Sequence, residues 1–81
     1  MSETMVQLDL RGLKCPLPAL KTRKALGGLA PDARLSVACD DPLAAIDIPH
    51  LLRETGDELV SQAREGDALV FVIRRMARGA P

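Results

Sequence analysis

One aromatic side chain in 81 residues, Phe71, with no Trp or Tyr, leaves this chain without the stacking platform on which single-stranded nucleic acids are bound. Charge does not compensate. Eleven Lys and Arg balance 11 Asp and Glu, so the basic field that grips a phosphate backbone is missing and direct nucleic-acid binding is not expected. Cysteine and histidine are scarce too. Two cysteines and one histidine, without a Cys-x-x-Cys or His-x-x-x-His pair, exclude a disulfide scaffold and give no zinc ligand set. Neither a metal nor another cofactor is expected. Residues 1–7 hold no apolar run and no stretch reaches transmembrane length. The reading is therefore no signal peptide, no membrane span and a cytoplasmic chain whose thiols stay reduced.

What is present is aliphatic. Hydrophobic residues make up 47% of the chain, carried by Leu, Val, Ile and Ala. A chain this short buries only about 60% of its unfolded surface. That suffices for one domain with a thin two-layer core and not for a deep cofactor pocket.

The apolar spacing sets out six elements. "TMVQLDL", residues 4–10, alternates and puts Val6, Leu8 and Leu10 on one face of a half-buried strand. Arg11-Gly12 breaks it, with Gly12 expected in a turn that needs positive φ. A helix is expected over residues 16–26, burying Ala19, Thr22, Leu26 and Leu29, with Gly27-Gly28 as a left-handed stop. Residues 33–39 form a second strand with Leu35 and Val37 on one face. "DDP" signals a turn and helix start, with Asp40 or Asp41 as cap. Pro49 would clash inside a helix, so the spacing predicts a turn at 43–46, a new cap at Asp47 and a helix to Thr55. Ile48, Leu51, Leu52 and Thr55 share its buried face, and Gly56 ends it. Strand three covers 58–63, "REGD" is a hairpin turn, and strand four covers 68–74 with Leu69, Phe71 and Ile73 on the core side. Residues 1–3 and 76–81 read as frayed tails around a core of about 4–75. The order β-α-β-α-β-β, with right-handed crossovers, predicts an α/β (α+β) two-layer sandwich: a four-stranded mixed sheet with both helices on one face.

One stretch carries chemistry. "GLKCPLPALKTRK", residues 12–24, sets Cys15 before Pro-Leu-Pro. With Cys15 as N-cap, Pro16 takes the first helical position, where its missing N–H costs nothing, and Pro18 still lies in the first turn. The sulfur would then sit over the free N–H groups of a helix N-terminus. Lys14 and Arg11 stand nearby, and residues 11–24 hold five basic residues and no acid. The expected result is a thiol with a lowered pKa. The bland alternative is a small hydrophobe at a helix start. Asp9 and Arg11 are placed to pair across the strand end and hold the loop. Cys39, closing strand two, reads as a buried small residue, or as a resolving thiol near Cys15 at the same sheet edge. His50 reads as a surface histidine. Asp40, Asp41, Asp47, Glu54, Asp57 and Glu58 form an acidic run whose default is a solvated face, with Asp41 also a candidate to support the Cys15 site from behind.

"LDLRGLKCPLPALKTRKAL", followed by "DDPLAAIDIPHLLRETGDEL", resembles the TusA/SirA sulfur-carrier family. Its hallmark is Cys-Pro-x-Pro at the start of the first helix, after a Leu-Asp-x-x-Gly-x-x-Cys-Pro lead-in. Leu8, Asp9, Gly12, Cys15, Pro16 and Pro18 match it. Asp41-Pro42 and Asp47-Ile48-Pro49 match the family's acidic turn and second-helix start. The resemblance covers residues 6–75 and implies the β-α-β-α-β-β fold shared with the C-terminal domain of translation initiation factor 3, with strand four inside the sheet. It implies a sulfurtransferase-type carrier. Cys15 would take a sulfane sulfur as a persulfide from a donor protein, a cysteine desulfurase or rhodanese-like protein, and pass it to an acceptor protein. Leu17 stands where the tRNA-thiolation members carry an acid, so tRNA thiolation, molybdenum-cofactor sulfuration and sulfur oxidation all stay open. The competing reading is a non-catalytic interaction or regulatory module, with RNA contact as one form it could take. A disulfide oxidoreductase lacks its Cys-x-x-Cys.

Overall fold

The first two strands, β1 (Met5–Asp9) and β2 (Arg34–Cys39), run parallel, so the chain between them must cross back over the sheet. Helix α1 (Leu17–Gly27) makes that crossing. Helix α2 (Ala44–Thr55) makes the next one and delivers β3 (Glu58–Glu65) one strand's width beyond β2. A two-residue turn at Gly66-Asp67 then returns β4 (Ala68–Arg74) into the gap, antiparallel to both neighbours. The sheet order is β1-β2-β4-β3, with β4 in the interior as the resemblance implied. The computed structural model describes residues 5–76. The tails expected at 1–3 and 76–81 lie outside them except for Met76, whose N–H donates to Asp57 Oδ1 at 3.0 Å.

Alternation decides which sheet face meets the helices. Leu35, Val37 and Cys39 on β2 and Phe71 and Ile73 on β4 are buried. The register sets Leu35 against Ile73 and Val37 against Phe71. Pro18, Thr22 and Leu26 of α1 and Ala44, Ile48, Leu51 and Leu52 of α2 are the helices' buried residues. Both helices therefore cover one face, and each large aliphatic side chain removed from water contributes about 1.5–3 kcal/mol. Ser36, Ala38, Val70 and Val72 point the other way and are half-buried. The edge strands β1 and β3 are mostly exposed. Charged residues and a register shift between Leu59 and Ser61 on β3 are the usual means of blunting an edge.

Three local expectations need correcting. Helix α2 starts at Ala44 and runs through Pro49, with no new start at Asp47. Ala44, Ile48, Leu51 and Leu52 keep one unbroken helical spacing, and burying that face outweighs the hydrogen bond Pro49 cannot donate. Helix α1 does not stop in a left-handed glycine. Gly28 has φ −95°, and the helix unwinds through bonds from Gly28 N–H to Ala25 O and from Leu29 N–H to Leu26 O. The guanidinium of Arg75 also donates to Leu26 O. Strand β3 runs two residues further than its apolar pattern, because Arg64 and Glu65 pair with Leu69 and Ala68 across the hairpin. Gly56, by contrast, is the left-handed cap expected, at φ 83°.

Thr22 is fully buried, and among the described residues its Oγ1 has no hydrogen-bond partner. Thr22→Val removes a desolvated hydroxyl at nearly constant volume. It is expected to stabilise the fold by about 1 kcal/mol, raising Tm by roughly 4–8 °C. A fall of that size in calorimetry would show that the hydroxyl is paired.

Candidate functional site

The parallel pairing of β1 and β2 brings their C-terminal ends together, and the loop of residues 10–16 is anchored there. Leu10 extends the ladder with a bond from its N–H to Ala38 O, 2.7 Å, and Leu13 N–H closes a turn onto Leu10 O. Gly12 adopts φ 88°, the positive value expected of it, and a side chain there would be strained. Its N–H donates to Asp40 Oδ1 at 3.0 Å. Arg11 donates through N, Nε and Nη2 to the Asp9 carboxylate, at 3.1, 2.9 and 2.8 Å. Those bonds to the Arg11 side chain and backbone hold Asp9 down at about 2. The Asp9–Arg11 clamp is thus present, and it occupies the Arg11 guanidinium.

Asp41 fixes the cysteine itself. Its Oδ2 accepts from Cys15 N–H at 2.5 Å and its Oδ1 from Leu43 N–H at 3.0 Å. The two donated bonds, Cys15's first, push the Asp41 carboxyl below the usual carboxylate range. One side chain therefore ties the Cys15 loop to the start of α2. The Cys15–Pro16 peptide bond is cis.

Cys15 is not the N-cap of α1. Pro16 holds that position and Pro18 the second helical one. The sulfur is exposed and points to α2, where it donates to Asp47 Oδ2 at 2.8 Å. The expectation of a lowered thiol pKa is overturned. The hydrogen bond to Asp47, then partial desolvation, then the charges of Asp47 and Asp41 raise it. The physical reason lies in the prolines and the acids. Pro16 and Pro18 have no N–H, Leu17 N–H is taken by Lys14 O, and Leu20 N–H by Pro16 O. The first turn of α1 therefore has little to donate to a thiolate, while two carboxylates approach from the neighbouring loop and helix. Lys14 precedes the cysteine and is exposed. The acids, not the flanking cations, dominate the sulfur's surroundings.

Beside Cys15 runs a shallow groove of about 270 Å³ between the helices, lined among others by Pro16, Leu20, Arg23, Asp47 and Leu51. Leu17 and Leu20 on α1, and Leu43 and Ile46 at the start of α2, are large exposed hydrophobics, Ile46 at 66%. His50 and Glu54, 3.5 Å apart, line the same groove. Cys39 is fully buried in the core, and burial first, then Asp40 and Asp41, pushes its thiol up to about 11. That is the environment of a packed small residue. The site residue that sequence reasoning missed is Asp47, read as a helix cap and a solvated acid and not as a partner of Cys15. Its signal was the Asp47-Ile48-Pro49 match to the family's second-helix start.

The pH dependence of Asp41 follows from its depressed value. Its bonds stabilise the fold fully above the ordinary carboxylate pKa of about 4, and that contribution is lost as pH falls through the lower folded value. Between about pH 4 and pH 2 the wild type should lose Tm more steeply than Asp41→Asn, followed by circular dichroism. Parallel curves would contradict the bridging role.

The family model described as Sulfurtransferase TusA matches residues 6–75. The chain is similar to the Sulfur carrier protein TusA of Allochromatium vinosum, 33% identical over 75 residues, covering 93% of this chain and 99% of that protein. It is similar to a putative sulfur carrier protein of Archaeoglobus fulgidus, 38% identical over 71 residues, covering 86% and 92%. A putative sulfur carrier protein of Bacillus subtilis, YrkI, is 37% identical over 68 residues, covering 84% and 91%. Among solved structures, the SirA-like protein of Desulfitobacterium hafniense shares the fold with a TM-score of 0.79 at 19% identity, covering 90% of this chain and all of that one. With its family pattern matched over residues 6–75 and its fold shared, this chain belongs to the TusA family of sulfurtransferases.

Proposed function

We propose that this protein is a sulfur carrier and that Cys15 holds the cargo as a persulfide. The observation that carries the reading is the placement of Cys15. Of the two cysteines it is the exposed one, set on an anchored loop beside a groove that exposed Leu20 helps to line. A groove with exposed apolar lining beside a reactive atom suits transient docking of another protein. The curated relatives' names support the same role.

In loading, Sγ of Cys15 attacks the terminal sulfur of a donor persulfide. A new S–S bond forms at Cys15, the donor's S–S bond breaks, and the donor cysteine leaves as a thiolate that takes up the proton Cys15 gave up. In unloading, an acceptor thiolate attacks the terminal sulfur and Cys15 leaves as the thiolate. A sulfane sulfur moves and nothing is oxidised or reduced overall. Asp41 holds the backbone of Cys15, while the Asp9–Arg11 clamp and the bond from Gly12 to Asp40 hold the loop. Pro16 and Pro18 start the helix behind it, and Lys14 stands exposed beside it. The donor is a cysteine desulfurase or rhodanese-like protein, and the acceptor a protein thiol. Among the described residues no helix is long and apolar enough to cross a membrane. The cytoplasm is the compartment the reading requires, because the resting thiol must stay reduced.

Incubation with a cysteine desulfurase and cysteine, followed by intact mass measurement, should show one added sulfur atom. Reduction should remove it, and Cys15→Ser should never acquire it. Absence of the adduct with desulfurase and rhodanese-like donors alike would overturn the reading. It would favour a binding module, whose interactions would survive Cys15→Ser.

A further inference from the structure

The contact between Asp47 and Cys15 opposes the chemistry that the site is built for. A thiol donating to a carboxylate at 2.8 Å keeps its proton, yet both steps of the relay need negative charge on Sγ. Sulfur is the nucleophile in one step and the leaving group in the other, and a carboxylate in contact disfavours the thiolate in both.

The charged groups around Sγ are few. The loop before α2 contributes Asp41, which is committed to two backbone N–H groups. Helix α2 contributes Asp47, His50 and Glu54, the last two paired with each other. Helix α1 contributes Arg23 along the groove, and the loop before it Lys14. Among the described residues the one hydrogen bond of the Asp47 side chain is the one from Cys15, so nothing else holds that carboxylate in place. It stands in the first turn of α2, beside exposed Leu43 and Ile46. A protein reaching for Sγ must cover that rim and so meets Asp47 as it docks.

We propose that Asp47 selects the partners of Cys15 by charge: its carboxylate keeps the proton on Sγ in the free carrier, and it lets go of the thiol when a partner presents an arginine or lysine side chain at the groove rim. An arginine can bind a carboxylate through two parallel charge-assisted bonds, which the single bond from a thiol does not match. Once Asp47 turns to the partner's cation, Sγ gives its proton to water, the donor cysteine that leaves as a thiolate takes one up in turn, and transfer proceeds. A neutral or acidic visitor leaves the thiol protonated and slow. The inference deepens the carrier reading and rests on it, but its test uses no sulfur cargo.

Two methanethiosulfonate reagents of similar size, one bearing a trimethylammonium group and one a sulfonate, separate the outcomes. With each rate expressed relative to that of 2-mercaptoethanol, whose own thiolate already favours a cation, the wild type at low salt and pH 7 should react at Cys15 about three- to tenfold faster with the cationic reagent, and 0.5 M salt should narrow the ratio. Asp47→Asn should narrow it several-fold at low salt. The same variant should react faster with neutral iodoacetamide at pH 7, by about three- to tenfold, with the midpoint of its pH–rate profile moved down. Equal relative wild-type rates with the two charged reagents would overturn the proposal whether or not the variant folds. So would an Asp47→Asn protein that keeps both the wild-type ratio and the wild-type midpoint. Either result would leave persulfide loading untouched, and a failure of loading would leave these rates interpretable.

Discussion

The carboxylate of Asp41 accepts from the N–H of Cys15 on one side and from that of Leu43 on the other, and the rest of the site depends on this bridge. It joins the loop after β1 to the beginning of α2 across 26 residues of sequence. It holds the backbone from which Sγ reaches Asp47. Asp40 makes the parallel bond to Gly12, so two successive acids at the end of β2 hold the two ends of one short segment. The sheet makes this possible, because parallel pairing of β1 and β2 delivers both ends to the same edge.

A second consequence concerns the charge on the sulfur. A helix N-terminus ordinarily lowers a thiol pKa, and five basic residues between positions 11 and 24 point the same way. The structure sets three facts against them. The prolines that start α1 remove N–H donors, Arg11 is turned to Asp9, and Asp47 touches Sγ. Contact decides over proximity here, since a carboxylate at hydrogen-bond distance outweighs solvated cations further out. A carrier with a quiet thiol is also chemically economical, because it loses little of itself to stray oxidants between encounters.

Most of the fold was legible in the chain because the signals were local. Alternation at Leu35/Val37 and Leu69/Phe71/Ile73, helical spacing at Thr22/Leu26, and turn chemistry at Gly12, Gly56 and Gly66 each act within a few residues. Pro49 misled because its penalty is local, while the compensation from Ala44, Ile48, Leu51 and Leu52 comes from packing against the sheet. At the site, Cys15, Gly12 and the Asp9–Arg11 pair could be read directly. Asp41 was visible as a turn residue and as a possible supporting residue near Cys15, but not as the acceptor of its N–H. Asp47 lies 32 positions from Cys15, and no periodicity encodes which long-range partner a side chain will meet. The error about the thiol had the same origin: the local sequence is basic, and the acids arrive through the topology.

The ionisation of Cys15 in the resting protein is therefore the most direct measure of this account. Carbon-13 labelling of cysteine Cβ, followed by NMR as pH is raised, reports the thiol without any reagent, partner or cargo. The account predicts that the Cys15 signal titrates above about 8.5, the ordinary thiol value, and that this midpoint falls when Asp47 is made Asn. A midpoint near 7 or below in the wild type would contradict it, and would return the sulfur to the control of the helix terminus and the flanking cations.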